Sequence, residues 1–382
     1  MAGVGPLGLR PVRVLVVNTG SSSLKLSVLA GESASAGWEV EATADLDRWD
    51  GDDLQQLEPV VAEAGRLDAV GHRVVHGGTA LTEAAVVTAD VEEQIVALGS
   101  LAPLHQPRAL VGLRAFRRLV PDVPHVACFD TAFHATMPAA AATYALPAPW
   151  RERWPLRRFG FHGLSHAWAV RRAPVIAGVE PSAARRIVSC HLGAGASVCA
   201  ALDGRSVDTS LGVPPLEGLV LATRSGTVDP GLVLWLIEHG GLGADEVSDG
   251  LEHRAGLAGL SGTSGDMRDV LAARARGDGA ASAAFDVFIH RLRREIAAMV
   301  AALGGVDLVA FTGGIGEHSP DVRAEALAGL TFLGLAADPA SNAAAAGDVD
   351  ITAPGATART VVVTAREDVE IADQVRARLS EL

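Results

Sequence analysis

Lysine is nearly missing from this 382-residue sequence: Lys25 is its one lysine, and every other basic residue is arginine. In such a chain, a lysine beside a Gly/Ser-rich turn indicates a site that needs a compact ammonium group, with chance placement as the alternative. Cations are scarce overall, because 32 Lys and Arg face 45 Asp and Glu, for a net charge of −13, and no basic run stands out. We therefore expect no nucleic-acid partner and no anionic membrane partner, since such surfaces bind clustered cations.

Cysteine and long apolar runs are also scarce. Cys128, Cys190 and Cys199 lie in apolar, strand-like stretches without metal-ligand spacing, which is typical of reduced core residues in a cytosolic protein. Near the N-terminus, residues 14–17 form an apolar run too short for a signal peptide, and no stretch approaches the ~18 apolar residues of a membrane span. These absences predict a cytoplasmic location.

Several common motifs are absent too. Residues 20–25 lack the second glycine of a P-loop, and no Gly-x-Gly-x-x-Gly fingerprint opens a strand–helix unit near the N-terminus. His162 and His166 have the spacing of two zinc-binding histidines, but no glutamate follows the first of them. A Gly-x-Ser-x-Gly elbow is also missing, which argues against a serine hydrolase.

The pattern that is present indicates two related α/β units. The chain is 49% hydrophobic and about two and a half times the roughly 150-residue length of a typical domain, so it favours two cores. Residues 13–28 and 187–202 both predict a strand, a small-residue turn and a second strand, and Asp203-Gly204 predicts a type I′ hairpin. Periodicity predicts further strands at 68–75, 123–129, 307–311 and 360–363, and helices at 50–64, 106–119, 285–303 before Gly304-Gly305, and from about Glu367.

Small-residue turns at strand ends suggest a phosphate-binding role. Turns at 18–23, 193–196 and 313–316 would expose backbone N–H groups and admit a ligand closely, which together with Lys25 favours a nucleotide over plain turns.

Polar residues at loop positions suggest anion chemistry. Arg73, Arg224 and Arg268 stand at strand ends or in Gly/Ser contexts, where arginine can make forked contacts with carboxylates and phosphates, although surface salt bridges would use them equally well. His105 and His162 could be hydrogen-bonded core histidines, and spacing alone does not decide between these roles.

Eleven segments together resemble the acetate kinase family, within the superfamily of acetate and sugar kinases, actin and the 70-kDa heat-shock chaperones. They follow the family's order along the whole chain: NTGSSSLKL (18–26), GHRVVHGG (71–78), APLH (102–105), FDTAFH (129–134), FGFHGLSH (159–166), HLGAGAS (191–197), DTSLGVPPLEGL (208–219), TRSGTVDPG (223–231), SGTSGDMRD (261–269), FTGGIGEHS (311–319) and REDVEIA (366–372).

The resemblance implies a fold and an activity. The fold would be α/β, with two duplicated actin-like (ribonuclease H-like) domains, each a mixed β-sheet flanked by helices, facing across an active-site cleft. The first domain would comprise residues 1–134 plus 369–382, and the second residues 135–368. The activity would be reversible, direct in-line phosphoryl transfer from ATP to acetate, giving acetyl phosphate and ADP, with Mg²⁺ or Mn²⁺ as cofactor and a homodimer as the assembly.

The resemblance also implies residue roles on the acetate side. Arg73 would clamp the acetate carboxylate, with His105, Val75, Leu104, Phe161 and Pro215 completing the substrate site. Arg224 and His162 would stabilise the phosphoryl group in flight, and Asp130 matches the family's catalytic aspartate. Because acetate is ionised at neutral pH and has no proton to lose, we expect Asp130 to orient Arg73 or Arg224 more than to act as a base.

On the nucleotide side, the implied residues come from several loops. Lys25 would reach the phosphates, and Asn18 and Glu367 would position the metal, with Asp368 as a competing ligand. The phosphate chain would be held by His191, Leu192, Gly193, Ala194 and Gly195, and the nucleoside by Asp266, Met267, Arg268, Gly314, Ile315, Gly316, Glu317 and His318.

Some positions depart from the family pattern. Ala194, Gln106 and His318 each replace an asparagine, Pro214 stands where threonine is common, and the segment from residue 364 to 372 is looser than usual. The loss of the amide at 194 predicts weakened nucleotide affinity.

Three alternatives therefore stay open. They are a propionate or other short-chain acyl kinase, a nucleotide-binding actin-like protein with weakened catalysis, and the use of GTP or another triphosphate. An apolar pocket separates acids that differ by one methylene by only about 1–3 kcal/mol.

Overall fold

The computed structural model describes residues 11–20, 23–31, 37–47, 49, 51, 53–102 and 105–381. The chain divides into two units: unit 1 comprises Met1–Ala132 and Arg366–Leu382, and unit 2 comprises Phe133–Ala365. The boundaries predicted from the sequence, after residues 134 and 368, differ from these by two and three residues.

Unit 1 is built on a mixed sheet. Within the described residues its strand order is β3-β2-β1-β4-β6-β5, in which β1, β4 and β6 are parallel neighbours and the other pairings are antiparallel. Its strands and first helices are β1 (Val12–Thr19), β2 (Ser23–Gly31), β3 (Glu39–Asp47), α1 (Glu58–Ala64), β4 (Ala69–Val74), β5 (Ala85–Val86), α2 (Ala89–Ala97), α3 (Gln106–Leu119) and β6 (His125–Phe129).

Unit 2 contains a second mixed sheet and most of the helices. Its elements are α4 (Ala139–Ala142), α5 (Ala148–Arg153), α6 (Gly163–Ile176), β7 (Arg186–Leu192), β8 (Ala196–Leu202), β9 (Arg205–Thr209), α7 (Pro230–Glu238), α8 (Ala244–His253), α9 (Gly256–Ser261), α10 (Met267–Ala275), α11 (Gly279–Leu303), β10 (Leu308–Thr312), α12 (Gly313–His318), α13 (Pro320–Ala328), α14 (Pro339–Ala343), β11 (Val349–Asp350) and β12 (Arg359–Val362). Short 3₁₀ turns occur at Leu54–Gln56, Leu98–Ser100, Ala132–Thr136, Pro181–Ala183 and Thr331–Leu333.

The two sheets have the same topology. Read from β9, the strand order of the unit 2 sheet is β9-β8-β7-β10-β12-β11. Each of these strands takes the position of the corresponding strand in the unit 1 order β3-β2-β1-β4-β6-β5. The parallel neighbours also correspond, because β7, β10 and β12 take the places of β1, β4 and β6. This duplication confirms the expected α/β class with two mixed sheets, each flanked by helices.

The final helix belongs to unit 1. α15 (Glu367–Leu379) packs on the first sheet, where a Cβ added at Gly71 would lie 2.6 Å from Cγ2 of Ile371 and 2.8 Å from Cγ2 of Val375. Glycine at position 71 therefore lets the helix approach the strand closely. In unit 2, α11 buries Phe285, Phe288 and Leu292 in the core.

Two sequence-based expectations need correction. The segment predicted to be helical from 50 to 64 is an α-helix only over Glu58–Ala64, and Pro59 lies in its first turn, where its missing N–H costs no hydrogen bond. The glycine turn predicted at 313–316 is instead the start of α12, whose first N–H, on Gly313, donates to Oε1 of Glu317 at 3.0 Å.

The cysteine prediction is confirmed, because Cys128, Cys190 and Cys199 are all buried and unpaired with one another. Within the described part of the chain, no helix combines the length and apolar character that a bilayer crossing requires.

Candidate functional site

Three parallel strands bring polar residues to one edge of the unit 1 sheet. Asn18 lies near the end of β1, Arg73 near the end of β4, and Asp130 directly after β6. The register pairs Arg73 with Cys128, and the N–H of Asp130 continues the ladder by donating to the carbonyl of Val74 at 3.0 Å. Carboxyl ends of parallel strands meet at one sheet edge, which is where α/β folds place ligands.

Arg73 and Asp130 form a forked ion pair. Nη2 of Arg73 donates to Oδ2 of Asp130 at 2.7 Å, and Nε lies 3.2 and 3.3 Å from the two carboxylate oxygens. The Asp130 side chain is 1% exposed and that of Arg73 is 20% exposed. Burial raises the pKa of Asp130 against the opposing attraction of the Arg73 cation. Burial alone would lower the pKa of Arg73, but the carboxylates of Asp130 and Glu367 outweigh it and raise this pKa.

The expected metal ligands also lie against Arg73. Oδ1 of Asn18 accepts a hydrogen bond from Nη1 of Arg73 at 3.2 Å, and Oε2 of Glu367 lies 3.9 Å from its Nε. An amide oxygen and a carboxylate are the hard donors that Mg²⁺ takes, and Mg²⁺ needs few protein ligands when phosphate oxygens and waters complete its shell. Across the residues that the structure describes, no set of three His, Cys, Asp or Glu side chains is arranged to hold a metal alone.

The competing ligand is engaged elsewhere. The carboxylate of Asp368 accepts two hydrogen bonds from the guanidinium of Arg366, from Nε at 2.8 Å and from Nη2 at 3.0 Å. Of the two acidic residues that begin α15, Glu367 is therefore the one that faces Arg73.

Lys25 lies on the same face of the sheet as Asn18, because the two residues are directly opposed in the antiparallel register of β1 and β2. Its Nζ is 3.9 Å from Oδ2 of Asp45, and its side chain is 65% exposed. The ammonium group is therefore accessible to a ligand.

The remaining predicted residues of unit 1 surround the end of β4 and the start of α3. Val75 follows β4 and His105 precedes α3, and both are half-buried. Leu104 lies outside the described residues. Gln106 is buried, and its amide both accepts from the N–H of His76 at 3.2 Å and donates to the carbonyl of His76 at 2.8 Å. Gln106, which stands where the family pattern has asparagine, therefore binds the backbone that follows β4.

In unit 2, His162 occupies a strained backbone position. Its φ of 56° and ψ of 25° are left-handed, and it lies at the N-terminal end of α6. A non-glycine residue in this region costs of order 1–3 kcal/mol and is characteristic of functional sites. His134 supports the preceding residue, because its Nε2 donates to the buried carbonyl of Phe161 at 3.0 Å.

Cationic and imidazole side chains meet beside the β7–β8 turn. The rings of His162 and His191 stack with centroids 4.4 Å apart. A Cβ added at Gly195 would lie 3.0 Å from Nε2 of His162 and 4.0 Å from Nη2 of Arg224, so these side chains share one small space. Nη1 of Arg224 donates to the carbonyl of Pro215 at 2.5 Å, and burial lowers the pKa of Arg224 against the opposing effect of Glu252.

A cavity of about 790 Å³ opens next to this turn within unit 2. This volume is within the 300–1,000 Å³ range of small-molecule sites. Eight of the predicted nucleotide residues line it: Gly193, Ala194, Asp266, Met267, Arg268, Gly314, Ile315 and His318. The cavity also has lining residues that were not among the predicted nucleotide-binding residues: Ala222, Ser264, Gly265, Leu271, Ser319, Pro320 and Asp321.

Five of the residues predicted to bind the nucleotide have their principal contacts outside the cavity lining. Leu192 is in the hydrophobic core, and Gly316 is a buried residue of α12. The carboxylate of Glu317 accepts the backbone N–H groups of Gly313 and Ala365, both at 3.0 Å. His191 and Gly195 lie with His162 at the turn.

A chain of hydrogen bonds that no sequence motif indicates runs behind His162. Nδ1 of His162 is 2.9 Å from Oγ of Ser197, Oγ of Ser197 is 2.8 Å from Nε2 of His166, and Nδ1 of His166 is 2.9 Å from Oγ of Ser189. The sequence does place Ser and His close together in 162–166 and 189–191. Such short-range spacing does not show which hydroxyl meets which ring, because the partners come from different elements.

A duplicated actin-like fold, a buried arginine–aspartate pair at a strand edge and a nucleotide-sized cavity together define a phosphotransferase of the kinase type. The structure matches acetate kinase from Porphyromonas gingivalis, with a TM-score of 0.85, 33% identity, and coverage of 96% of this chain and 100% of the other. It matches a propionate kinase from Francisella tularensis with the same TM-score, 32% identity, and coverage of 95% and 98%.

Sequence relatives agree with the structural matches. Acetate kinase of Streptomyces coelicolor is 43% identical and covers 97% of each chain, and that of Clavibacter michiganensis is 44% identical over 94% of this chain and 98% of the relative. The model of the acetokinase family matches residues 52–373. The chain belongs to the acetokinase family.

Proposed function

We propose that the protein transfers a phosphoryl group reversibly between ATP and acetate, forming acetyl phosphate and ADP by direct in-line transfer. The observation that carries this proposal is the Arg73–Asp130 pair, whose guanidinium is held in one orientation with part of its surface accessible. A guanidinium fixed in this way suits forked recognition of a small carboxylate. The kinases that resemble the chain at 42–45% identity supply the reaction type.

Asp130 acts in this proposal through Arg73. Acetate has no proton to lose at neutral pH, so a general base has no task, and the buried carboxylate instead fixes the direction of the guanidinium. Val75, His105, Leu104, Phe161 and Pro215 would complete the acetate site.

The nucleotide would occupy the 790 Å³ cavity of unit 2. Its glycine and alanine lining leaves room for the base and ribose. Gly193 and Ala194 belong to the β7–β8 turn, beside which His162 and Arg224 lie. In phosphoryl transfer the charge lies on the equatorial oxygens, which a cation and a ring N–H stabilise directly. Lys25 would add an accessible ammonium for the phosphates.

Asn18 and Glu367 would hold Mg²⁺, or Mn²⁺ in its place. The ion, when bound, would supply positive charge that neutralises phosphate charge. The guanidinium of Arg73 orients Oδ1 of Asn18 through a hydrogen bond and lies close to Oε2 of Glu367. The carboxylate of Asp368 is instead bound to Arg366.

The direct test is ATP-dependent formation of acetyl hydroxamate from acetate and hydroxylamine, with reactions lacking ATP as the control. We expect acetate to give a higher kcat/KM than propionate, and propionate to react as a secondary substrate because one methylene is worth about 1–3 kcal/mol. GTP assayed beside ATP measures the donor range. Absence of product from both acids would overturn the proposed reaction, and a higher kcat/KM for propionate would reassign the substrate.

We also propose a homodimer that buries α7. None of the residues of this helix is buried in the chain, and Leu232, Leu234 and Trp235 are 49%, 57% and 54% exposed. A helix that is apolar on all sides is stable when another surface covers it. A second copy of the chain is the partner that the proposal names.

Light scattering after size exclusion tests the dimer. We expect the Leu234→Glu and Trp235→Glu double variant to elute as a monomer of 39.3 kDa. Phe332→Glu is the matched control, because Phe332 is 76% exposed but lies outside α7. A dimeric double variant would show that α7 does not form the interface.

A cytoplasmic location is also part of the proposal. The reaction uses ATP, and the three buried cysteines are unpaired, as is usual in reducing compartments.

A further inference from the structure

The chain of hydrogen bonds from His162 to Ser189 constrains where protons can lie. The hydroxyl of Ser197 stands between two imidazole nitrogens, at 2.9 Å from Nδ1 of His162 and 2.8 Å from Nε2 of His166. A serine hydroxyl has one hydrogen, so it donates to one nitrogen and accepts from the other. When both rings are neutral, the direction in which the Ser197 hydroxyl donates therefore determines which nitrogen of each ring is protonated.

Two arrangements keep every hydrogen bond when both rings are neutral. In the first, Ser189 donates to Nδ1 of His166, Nε2 of His166 donates to Ser197, and Ser197 donates to Nδ1 of His162. The single proton of His162 then lies on Nε2. In the second, every bond is reversed and the proton of His162 lies on Nδ1.

Burial keeps the middle of the chain neutral. His166, Ser189 and Ser197 are all 0% exposed. Burial lowers the pKa of His166 well below its ordinary value, with smaller contributions in the same direction from His134 and His191. His166 therefore acts at neutral pH as a ring with one N–H donor and one acceptor.

The position of Nε2 selects between the arrangements. This atom faces the turn at Gly195 on the same side as Arg224, because a Cβ built on Gly195 would lie 3.0 Å from Nε2 of His162 and 4.0 Å from Nη2 of Arg224. An anionic oxygen bound beside Nη2 of Arg224 would accept from Nε2 and favour the first arrangement. The left-handed backbone of His162 and the hydrogen bond from the N–H of His166 to its carbonyl, at 2.9 Å, hold the ring on this side.

We propose that Ser197 and His166 are positioning residues that hold Nδ1 of His162 as a hydrogen-bond acceptor and so keep a proton on its Nε2, from which the ring donates to the transferring phosphoryl group. The inference rests on the proposed contact between His162 and that group. Ser189 completes the chain by donating to His166.

The test combines kinetics with nitrogen-15 NMR of histidine-labelled protein bound to Mg²⁺ and a non-hydrolysable ATP analogue. The His162 signals are assigned by their loss in His162→Gln. For Ser197→Ala we expect kcat to fall about 10- to 100-fold, with KM for ATP and for acetate within about threefold of wild type, because the ring loses its orienting partner and not its place in the fold. In wild type, the nitrogen-15 signals of His162 should show the proton on Nε2. In Ser197→Ala, they should show a mixture of the two tautomers.

Two further variants keep the test independent of folding at position 197. His166→Gln retains an N–H that can donate to Ser197 and should keep most of kcat, whereas His166→Leu should behave like Ser197→Ala. Thr360→Val is the matched control, because the Thr360 hydroxyl is buried on a strand of the same sheet and has no hydrogen-bond partner among the described residues. It should retain wild-type kcat.

Two results would overturn the inference. One is a Ser197→Ala enzyme with wild-type kcat and an unchanged Nε2–H signal, and the other is an equal loss of kcat in Thr360→Val. A wild-type protein that makes no acetyl hydroxamate would instead contradict the proposed function, and the NMR measurement would still report which nitrogen of His162 holds the proton.

Discussion

At the scale of single residues, Arg73 keeps its charge in a partly buried position because the carboxylates of Asp130 and Glu367 face its guanidinium. We expect Arg73→Ala, like Arg224→Ala, to lower kcat at least ~100-fold, since an arginine that stabilises phosphoryl transfer is worth roughly 10³–10⁵ in rate. Arg73→Lys should not restore the rate, because an ammonium cannot make the forked contact with Asp130.

Steady-state kinetics of the purified variants measures this effect. Arg13→Ala is the control, because Arg13 also binds a carboxylate of unit 1, Glu41, but far along the sheet from the strand edge. Circular dichroism checks that each variant is folded. A folded Arg73→Ala enzyme with near-normal turnover would remove this arginine from the mechanism.

Ala194 gives a second prediction at this scale. It lines the nucleotide-sized cavity with a methyl group, where the resemblance to the acetate kinase family implies an amide. Ala194→Asn should lower KM for ATP about fivefold, because one added hydrogen bond contributes about 1 kcal/mol. An unchanged KM for ATP would mean that binding relies on backbone N–H groups of the turn.

At the scale of elements, α11 ends through the backbone of Gly304, whose φ of 67° is left-handed. Gly304→Ala should lower the free energy of unfolding by about 1 kcal/mol, because a Cβ is disfavoured in this conformation even though the space around it is open. Gly279→Ala, at the other end of the same helix and without a positive φ, is the control and should be neutral or slightly stabilising. Thermal unfolding measures both, and equal effects of the two variants would contradict the account.

Elements with strong local signals were predictable from the sequence. The helix at 106–119 has the predicted bounds, α11 ends where Gly304-Gly305 indicated, and Asp203 and Gly204 have the positive φ of 50° and 78° that a type I′ turn requires. Weak signals failed: only the end of the segment 50–64 is an α-helix, and the glycines after β10 start α12.

The candidate site was less predictable, because distant side chains build it. The motifs indicated Arg73 and Asp130, but only the register of β4 and β6 shows that they form a pair. The contact between Ser197 and His166 joins residues 31 positions apart through a strand and a helix. No local pattern encodes such a distance, so hydrogen-bond partners must come from the fold.

At the scale of the whole molecule, buried neutral histidines make stability depend on pH. Burial lowers the pKa of His76 and of His134 to about 4. Their unfolded-state pKa is about 6.5, so the unfolded chain binds more protons at acid pH. The part of the free energy of unfolding that depends on these two histidines staying neutral is fully present above pH 6.5 and is lost as the pH falls toward 4.

We expect each of these histidines to reduce the free energy of unfolding by about 2 kcal/mol between pH 7 and pH 5. Denaturant unfolding at the two pH values measures the loss. His134→Gln, which keeps a hydrogen-bond donor for the carbonyl of Phe161, should show a smaller difference between the two values than wild type. An identical difference would show that His134 is not a source of the pH dependence.

The placement of α15 orders the events of biosynthesis. Unit 2 is one continuous stretch, Phe133–Ala365, whereas unit 1 needs Arg366–Leu382, which the ribosome makes afterwards. The second sheet is therefore complete within one stretch of the chain, whereas the first gains the helix that covers Gly71 and supplies Glu367 only from the C-terminal residues. The first 132 residues to be translated consequently belong to the unit that needs the last residues of the chain.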